Sequence, residues 1–257
     1  MKRKQQKLKI VILGTQASGK GTQTHILSIT QNVPAVSMGN LLRDAAAQDT
    51  PHGRTIKDAL SKGGFPPEDL VLEILKAWVD KHPDGWIVDG FPRTIQQAEK
   101  SAVFFRPDVV LFLEITDEEA KRRISYRRVC VKCHTGYNII TQPPKNSRGV
   151  CDVCGGELAR RPDDTPELIV ERLRQYHEMT APLKEWYRKR KVLVEIDARQ
   201  GMKEVAHEIE QRLKSVRSHS FRVRRWLAWC LVALAFVVVV LAVLVYTGSN
   251  LPDTYYY

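Results

Sequence analysis

The chain has 257 residues, 43% of them hydrophobic, enough for one large domain or two small ones. Its 40 Lys and Arg against 29 Asp and Glu give a net charge of +11, but the excess is at the ends. Lys2, Arg3, Lys4, Lys7 and Lys9 open the chain, and Lys214, Arg217, Arg222, Arg224 and Arg225 precede its most apolar stretch. A near-balanced middle argues against a nucleic-acid surface.

In chain order, the first apolar run, KIVILG (9–14), reads as a strand buried on both faces of a sheet. Its IVIL core is far too short for a secretory signal. The strand runs straight into GTQASGKGT, Gly14 to Thr22, which fits G-x-x-x-x-G-K-[ST] except that Gly21 intrudes before Thr22. Glycines let such a loop wrap closely enough to aim backbone N–H groups at phosphate oxygens. The following helix adds the positive end of its dipole, and Lys20 supplies a point charge to the β- and γ-phosphates. Strand, loop and helix in this order predict a nucleotide site.

Helical periodicity then covers 20–30, 40–48, 68–81, 95–101, 117–125, 165–191 and 201–215. Strand-like runs WIVDG (86–90), VVLFLEI (109–115) and VLVEID (192–197) lie between them. The alternation predicts a parallel α/β sheet. Asp89 falls at a strand's C-terminal end, the edge where ligands of such sheets sit. Beside a phosphate loop its expected role is linked to Mg²⁺, ahead of a turn or cap.

Residues 126–163 interrupt the alternation as an insertion. Within it, Cys130-x-x-Cys133 and Cys151-x-x-Cys154 face each other across 17 residues, a spacing that predicts a four-thiolate Zn²⁺ site. The apolar stretch 226–246 has no charged side chain and as a helix would span about 31 Å, the thickness of a bilayer core. Trp226, Trp229 and Tyr246 mark its ends, and the basic flank precedes it, while the 11 residues after it carry only Asp253. The expected arrangement is a cytoplasmic domain, a linker at 214–225, a single C-terminal transmembrane helix and a tail at 247–257. A reducing cytoplasm also favours zinc thiolates over disulfides, and Cys230 inside the span reads as an apolar filler.

Between residues 7 and 214 the chain resembles the adenylate kinases, in the long form whose lid carries zinc. The motifs are GTQASGKGTQ (14–23), SMGNLLR (37–43), DGFPRTIQQ (89–97), YRRVCVKC (126–133) and RRPDD…ERL (160–173). The resemblance implies a doubly wound five-stranded P-loop kinase, with a monophosphate-binding part over 37–66 and a zinc lid over 126–163. It implies reversible, Mg²⁺-dependent phosphoryl transfer from ATP to AMP. On the donor side it points to Gly14, Ala17, Ser18, Gly19, Lys20, Gly21 and Thr22, with Arg123, Tyr137 and Gln200 near the base and Arg127 on the phosphates. On the acceptor side it implies Arg43 and Arg93 on the AMP phosphate and Gln97 at the adenine edge, with Met38, Gly64, Phe65, Pro66 and Gly90 lining the pocket. Arg161 and Arg172 would converge on the transferred phosphoryl group, with Asp163 and Asp164 holding the arginines.

Four positions depart from the family pattern. Met38 replaces a hydroxyl residue, Asn40 an aspartate, and Ala17 and Tyr126 replace glycines. The acceptor therefore has a second reading, another nucleoside monophosphate such as CMP or UMP. A third reading, a membrane-anchored nucleotide sensor without catalysis, is opposed by the presence of Lys20, Asp89, Arg93, Arg127, Arg161 and Arg172 together. A zinc-ribbon nucleic-acid binder is opposed by the few basic and aromatic residues between 130 and 154. A doubly wound kinase of this size can work as a monomer, which is the expected state.

Overall fold

The computed structural model describes residues 7–62, 64–145, 149–161 and 164–217. Two compact units divide the chain, residues 1–209 and 210–257; the described part of the second, 210–217, is helical. Five strands form one parallel sheet: β1 (Lys9–Gly14), β2 (Ala35–Ser37), β3 (Trp86–Asp89), β4 (Val109–Glu114) and β8 (Leu193–Asp197), in the order β2-β3-β1-β4-β8. Ile10, Val11, Ile12, Ile87, Val88, Val110 and Leu111 are wholly excluded from solvent, because helices cover both faces of the central strands. Chain order reverses beside β1, and loops leaving neighbouring strands there diverge to opposite faces.

Local chemistry sets the helix starts. The hydroxyls of Thr50, Thr94, Thr116 and Thr165 accept from the backbone N–H groups of Gly53, Gln97, Glu119 and Leu168. They open α3 (Pro51–Ser61), α5 (Ile95–Ser101), α6 (Asp117–Ser125) and α7 (Pro166–Gln175). In α6, Asp117, Glu118 and Glu119 face the positive end of the dipole, while Arg122 and Arg123 sit at its negative end. The remaining main helices are α1 (Lys20–Gln31), α2 (Met38–Ala46), α4 (Glu68–Asp80) and α8 (Leu183–Lys189), and helical residues resume over 202–217.

Three expectations change. The helix expected over 165–191 is broken: α7 passes into a π-helical turn, Tyr176–Thr180, with Ala181 N donating to Tyr176 O at 2.8 Å, and α8 starts only after Pro182. The edge strand β2 is three residues long and α3 begins at a proline, so neither leaves a long periodic signal. The inserted segment forms a second, antiparallel sheet of β5 (Arg127–Cys130), β6 (Gly136–Asn138) and β7 (Leu158–Ala159), in the order β6-β5-β7. Among the described residues no helix is long and apolar enough to cross a membrane, and the 226–246 stretch lies outside them.

The tightest backbone approach is at the end of β1. Gly14 has φ +133°, and a Cβ there would lie 1.8 Å from Leu113 O on β4. Gly14→Ala should lower unfolding stability by at least about 3 kcal/mol, read as a fall in the denaturant midpoint. An unchanged midpoint would show that the β1–β4 contact yields easily.

Candidate active site

The loop after β1 turns on two positive-φ residues, Ala17 (φ 57°) and Gly19 (φ 91°), before α1 begins at Lys20. Lys20 Nζ curls back over this loop, donating to Gly14 O at 2.9 Å and Thr15 O at 2.7 Å. Ser18 is buried, and its hydroxyl has no partner among the described residues. Asp89, 7% exposed, ends β3 close by; a Cβ added at Gly21 would lie 3.9 Å from its carboxylate.

Charge gathers at this edge. Burial lowers the Lys20 ammonium to about 8; Asp89 opposes the fall, while Arg93, Arg127 and Arg161 deepen it. Burial likewise raises Asp89, against the pull of Lys20, Arg93, Arg161 and Arg43. Charges from the motifs at 14–22, 37–43, 89–97, 126–133 and 160–161 thus act on Lys20 or Asp89 from five separate stretches of chain.

Asp164 fixes two of the arginines. Its side chain is 1% exposed and is gripped at both oxygens by Arg127, with Nε at 2.9 Å, while Arg172 approaches at 3.7 Å. Its carbonyl also accepts from Arg160 at 3.3 Å. Asp163, expected to share this task, lies outside the described residues. A buried carboxylate set between guanidinium groups limits where each arginine swings.

On the other side of Asp89, Arg93 donates to Gly90 O at 3.3 Å and lies 5.2 Å over the Phe65 ring. Gln97 is buried and its Oε1 accepts from Arg93 N at 2.8 Å, which leaves its NH₂ as the group free to read a ligand. Gly64 N donates to Ala59 O, and Pro66 is buried beside Phe65. Met38, 2% exposed, is packed in the main apolar core with Phe91 and Leu42. Arg43 donates to Asn40, so the departure to asparagine gives this arginine a neutral partner. Arg123 is held by Glu119 at 2.6 Å and reaches Arg199 O at 3.4 Å, next to Gln200. The exposed Gln200 side chain turns to Glu208 at 3.4 Å.

Tyr137 stands apart from this set. Its ring is 7% exposed in the small apolar cluster with Cys130, Cys151 and Leu158, and its hydroxyl meets Cys151 Sγ, so the phenol is not offered to a nucleotide.

The four cysteines come together as their spacing predicts. Their sulfurs all lie within 4.8 Å of one another, with Cys130–Cys154 at 3.4 Å and Cys133–Cys151 at 3.6 Å. A disulfide needs about 2.05 Å, whereas tetrahedral zinc with bonds of about 2.3 Å separates its sulfurs by about 3.8 Å. The donor set therefore fits Zn²⁺. His134, next to Cys133, crosses to Asp44 of α2 at 3.4 Å, so the cysteine-bearing segment touches the helix that carries Arg43.

Sequence reasoning missed several supporting groups. Glu119 was legible from its i,i+4 spacing to Arg123. Thr180, whose hydroxyl donates to Arg93 O at 2.9 Å from 87 residues away, left no local signal.

The sequence model of the adenylate kinase family matches residues 12–192. The chain belongs to that family. It is 37% identical over 218 residues to the adenylate kinase of Acetivibrio thermocellus, covering 82% of this chain and 100% of that protein. The adenylate kinase of Archaeoglobus fulgidus matches at 37% over 219 residues, again 82% and 100% of the two chains. That of Caldicellulosiruptor bescii matches at 37% over 216 residues, 81% and 99%. This adenylate kinase family member is thus a nucleotide-binding phosphotransferase with a five-stranded parallel sheet.

Two measurements probe the geometry. Asp164→Ala should lower kcat about 10- to 100-fold by freeing Arg127 and Arg172, with the metal content unchanged; full activity would show that the arginines hold themselves. Because Lys20 titrates near 8 in the free enzyme, kcat/KM for ATP should fall as pH rises through about 8, where the charge facing the phosphates is lost. A profile flat to about pH 9.5 would contradict this placement of Lys20.

Proposed function

We propose that this chain transfers the terminal phosphoryl group of ATP, bound as its Mg²⁺ complex, to AMP, giving two ADP reversibly. The observation that carries the reading is the gathering of Arg43, Arg93, Arg127 and Arg161 around Lys20 and Asp89 at one edge of the sheet. In this reading the loop from Gly14 to Thr22 and Lys20 hold the donor phosphates, and Arg123 flanks the donor base beside residues 199–200. Arg43 and Arg93 hold the AMP phosphate, while Gln97 offers its NH₂ to the base in a pocket lined by Met38, Gly64, Phe65, Pro66 and Gly90. Arg127, Arg161 and Arg172 neutralise the group in flight.

The reaction breaks the bond from the γ-phosphorus to the β–γ bridging oxygen and forms one to an AMP phosphate oxygen. That oxygen is largely ionised near neutral pH, since phosphate monoesters lose their second proton near about 6. No general base is required, which accords with an array rich in guanidinium groups. The chain's task is alignment, charge neutralisation and exclusion of water. Mg²⁺ would supply charge neutralisation on the donor phosphates, and Asp89, buried at the end of β3, would hold it.

Residues 37–66 serve as the acceptor-binding part and 126–163 as the lid, with zinc held by Cys130, Cys133, Cys151 and Cys154. The metal is structural: the lid's apolar cluster amounts to Cys130, Tyr137, Cys151 and Leu158, too little to keep such a segment folded unaided. The stretch 226–246 anchors the catalytic domain to a membrane from its cytoplasmic side, supplying adenylate exchange beside membrane-bound consumers of ATP. One observation favours a broader acceptor range: Met38 is a thioether buried among apolar side chains and offers a base no strong hydrogen bond.

The deciding assay purifies the full chain in detergent and measures ADP formation from ATP with AMP, CMP, UMP and GMP. AMP should lead, and Lys20→Ala should lose nearly all turnover; no turnover with any acceptor would end the kinase reading. Chelation of the metal should lower the melting temperature, and an unchanged one would remove zinc from the account of the lid. In cell fractions, activity should sediment with membranes and resist high salt; wholly soluble activity would refute the anchor.

A further inference from the structure

Tyr137 is placed by β6, which pairs antiparallel with β5 so that Tyr137 lies opposite Arg128, two residues before Cys130. That register delivers the ring into the cluster formed by Cys130, Cys151 and Leu158, where it is 7% exposed. Its hydroxyl oxygen has two polar neighbours, Asp152 N at 2.9 Å and Cys151 Sγ at 3.4 Å. A backbone N–H only donates, so Asp152 N occupies a lone pair of the phenol oxygen. The phenol's own hydrogen is then left for the sulfur. The Asp152 carboxylate turns instead to Lys145 N, 3.0 Å from both its oxygens.

We propose that Tyr137 is a positioning residue of the metal centre: its O–H donates to the Cys151 sulfur and fixes that ligand's orientation and charge. The proposal rests on the reading of the four cysteines as a zinc site. Four thiolates on Zn²⁺ leave a net charge of −2 in a poorly solvated cluster, and each donor aimed at a sulfur offsets part of that cost. Cys130 and Cys151 each take a backbone N–H at 3.4 Å, from Lys132 and Val153, and Cys133 has the Thr135 hydroxyl at 3.1 Å. Tyr137 differs from these donors in reach. Thr135 serves the cysteine two residues before it, and the N–H groups serve their own turns. Tyr137 belongs to the hairpin of the first Cys-x-x-Cys turn and donates to a sulfur of the second, 14 residues on. It therefore reaches from one turn to a ligand of the other and holds Cys151 where the fourth bond must form.

The test is Tyr137→Phe in the full chain, which keeps the ring and removes the hydroxyl. Zinc content is measured on purification, and zinc release is followed with a chromogenic chelator. The variant should release zinc about 10- to 100-fold faster than the parent. In the Co²⁺-substituted protein its sulfur-to-metal charge-transfer band should move to lower energy, since a thiolate without its donor gives up charge more readily. Any deficit in melting temperature should vanish once both proteins are stripped of metal; a deficit that persists would make Tyr137 a packing residue only and overturn the proposal. Unchanged release with an unmoved band would overturn it, as would unchanged release with a raised KM for ATP, which would return the phenol to the nucleotide. Parent protein purified without metal would overturn the zinc reading, and its metal content separates that failure from failure at Tyr137.

Discussion

The crowding of positive charge at one end of the sheet is the constraint on which the rest of the molecule depends. Two like charges about 4 Å apart repel by about 4 kcal/mol at an effective dielectric constant near 20. Arg93 and Arg161 nevertheless act on both Lys20 and Asp89, Arg127 on Lys20 and Arg43 on Asp89, so their clustering is held by the scaffold. Two buried carboxylates, Asp89 and Asp164, offset part of the repulsion. The rest is what the phosphates of two bound nucleotides would relieve. The scaffold thereby stores a preference for anions that needs no rearrangement at the moment of transfer.

Holding cations together requires rigid origins for them, and the backbone supplies these. Gly14 lets β1 pass close to Leu113 on β4, and the loop leaves the sheet two residues beyond Ile12, the partner of Asp89 at the end of β3. Arg93 is pinned through its own backbone at both polar groups, its N–H by Gln97 and its carbonyl by Thr180. The π-helical turn that contains Thr180 lies just after α7, the helix that carries Arg172. A change of helical register there re-aims the chain without ending its hydrogen bonding, so the acceptor-side arginine and the helix of Arg172 share one support.

Much of this was legible in advance, and the exceptions have physical reasons. Strands β1, β3 and β4 announce themselves because burial on both faces demands unbroken apolar runs. The phosphate loop and the cysteine pairs are legible because their spacing is the chemistry. The edge strand β2 and the helix α3 were not, because three residues and a proline start carry little periodicity. The Arg127–Asp164 and Thr180–Arg93 contacts span 37 and 87 residues, so the fold alone brings them together. Tyr137 shows the opposite limit. Resemblance put it with the nucleotide, while its burial against Cys151 ties it to the metal ligands.

The inserted segment then has to reconcile two demands. On the proposed reading it must be rigid enough to present Arg127 and Arg161 from its two ends, and small enough to move as a cover. Among the described residues, a buried cluster of four side chains with Cys133 and Cys154 packed against it meets the second demand and fails the first. Cross-linking the two turns through four sulfurs supplies stiffness without adding bulk. The contact of His134 with Asp44 gives that stiffness a purpose, because it lies between the metal-binding turn and α2, one residue from Arg43. His134 adopts φ 59°, a left-handed conformation that glycine would take with less strain, and its side chain is what reaches α2. A loose segment making the same contact would transmit nothing to Arg127. A stiff one ties the turn that touches α2 to the strand β5 that carries Arg127.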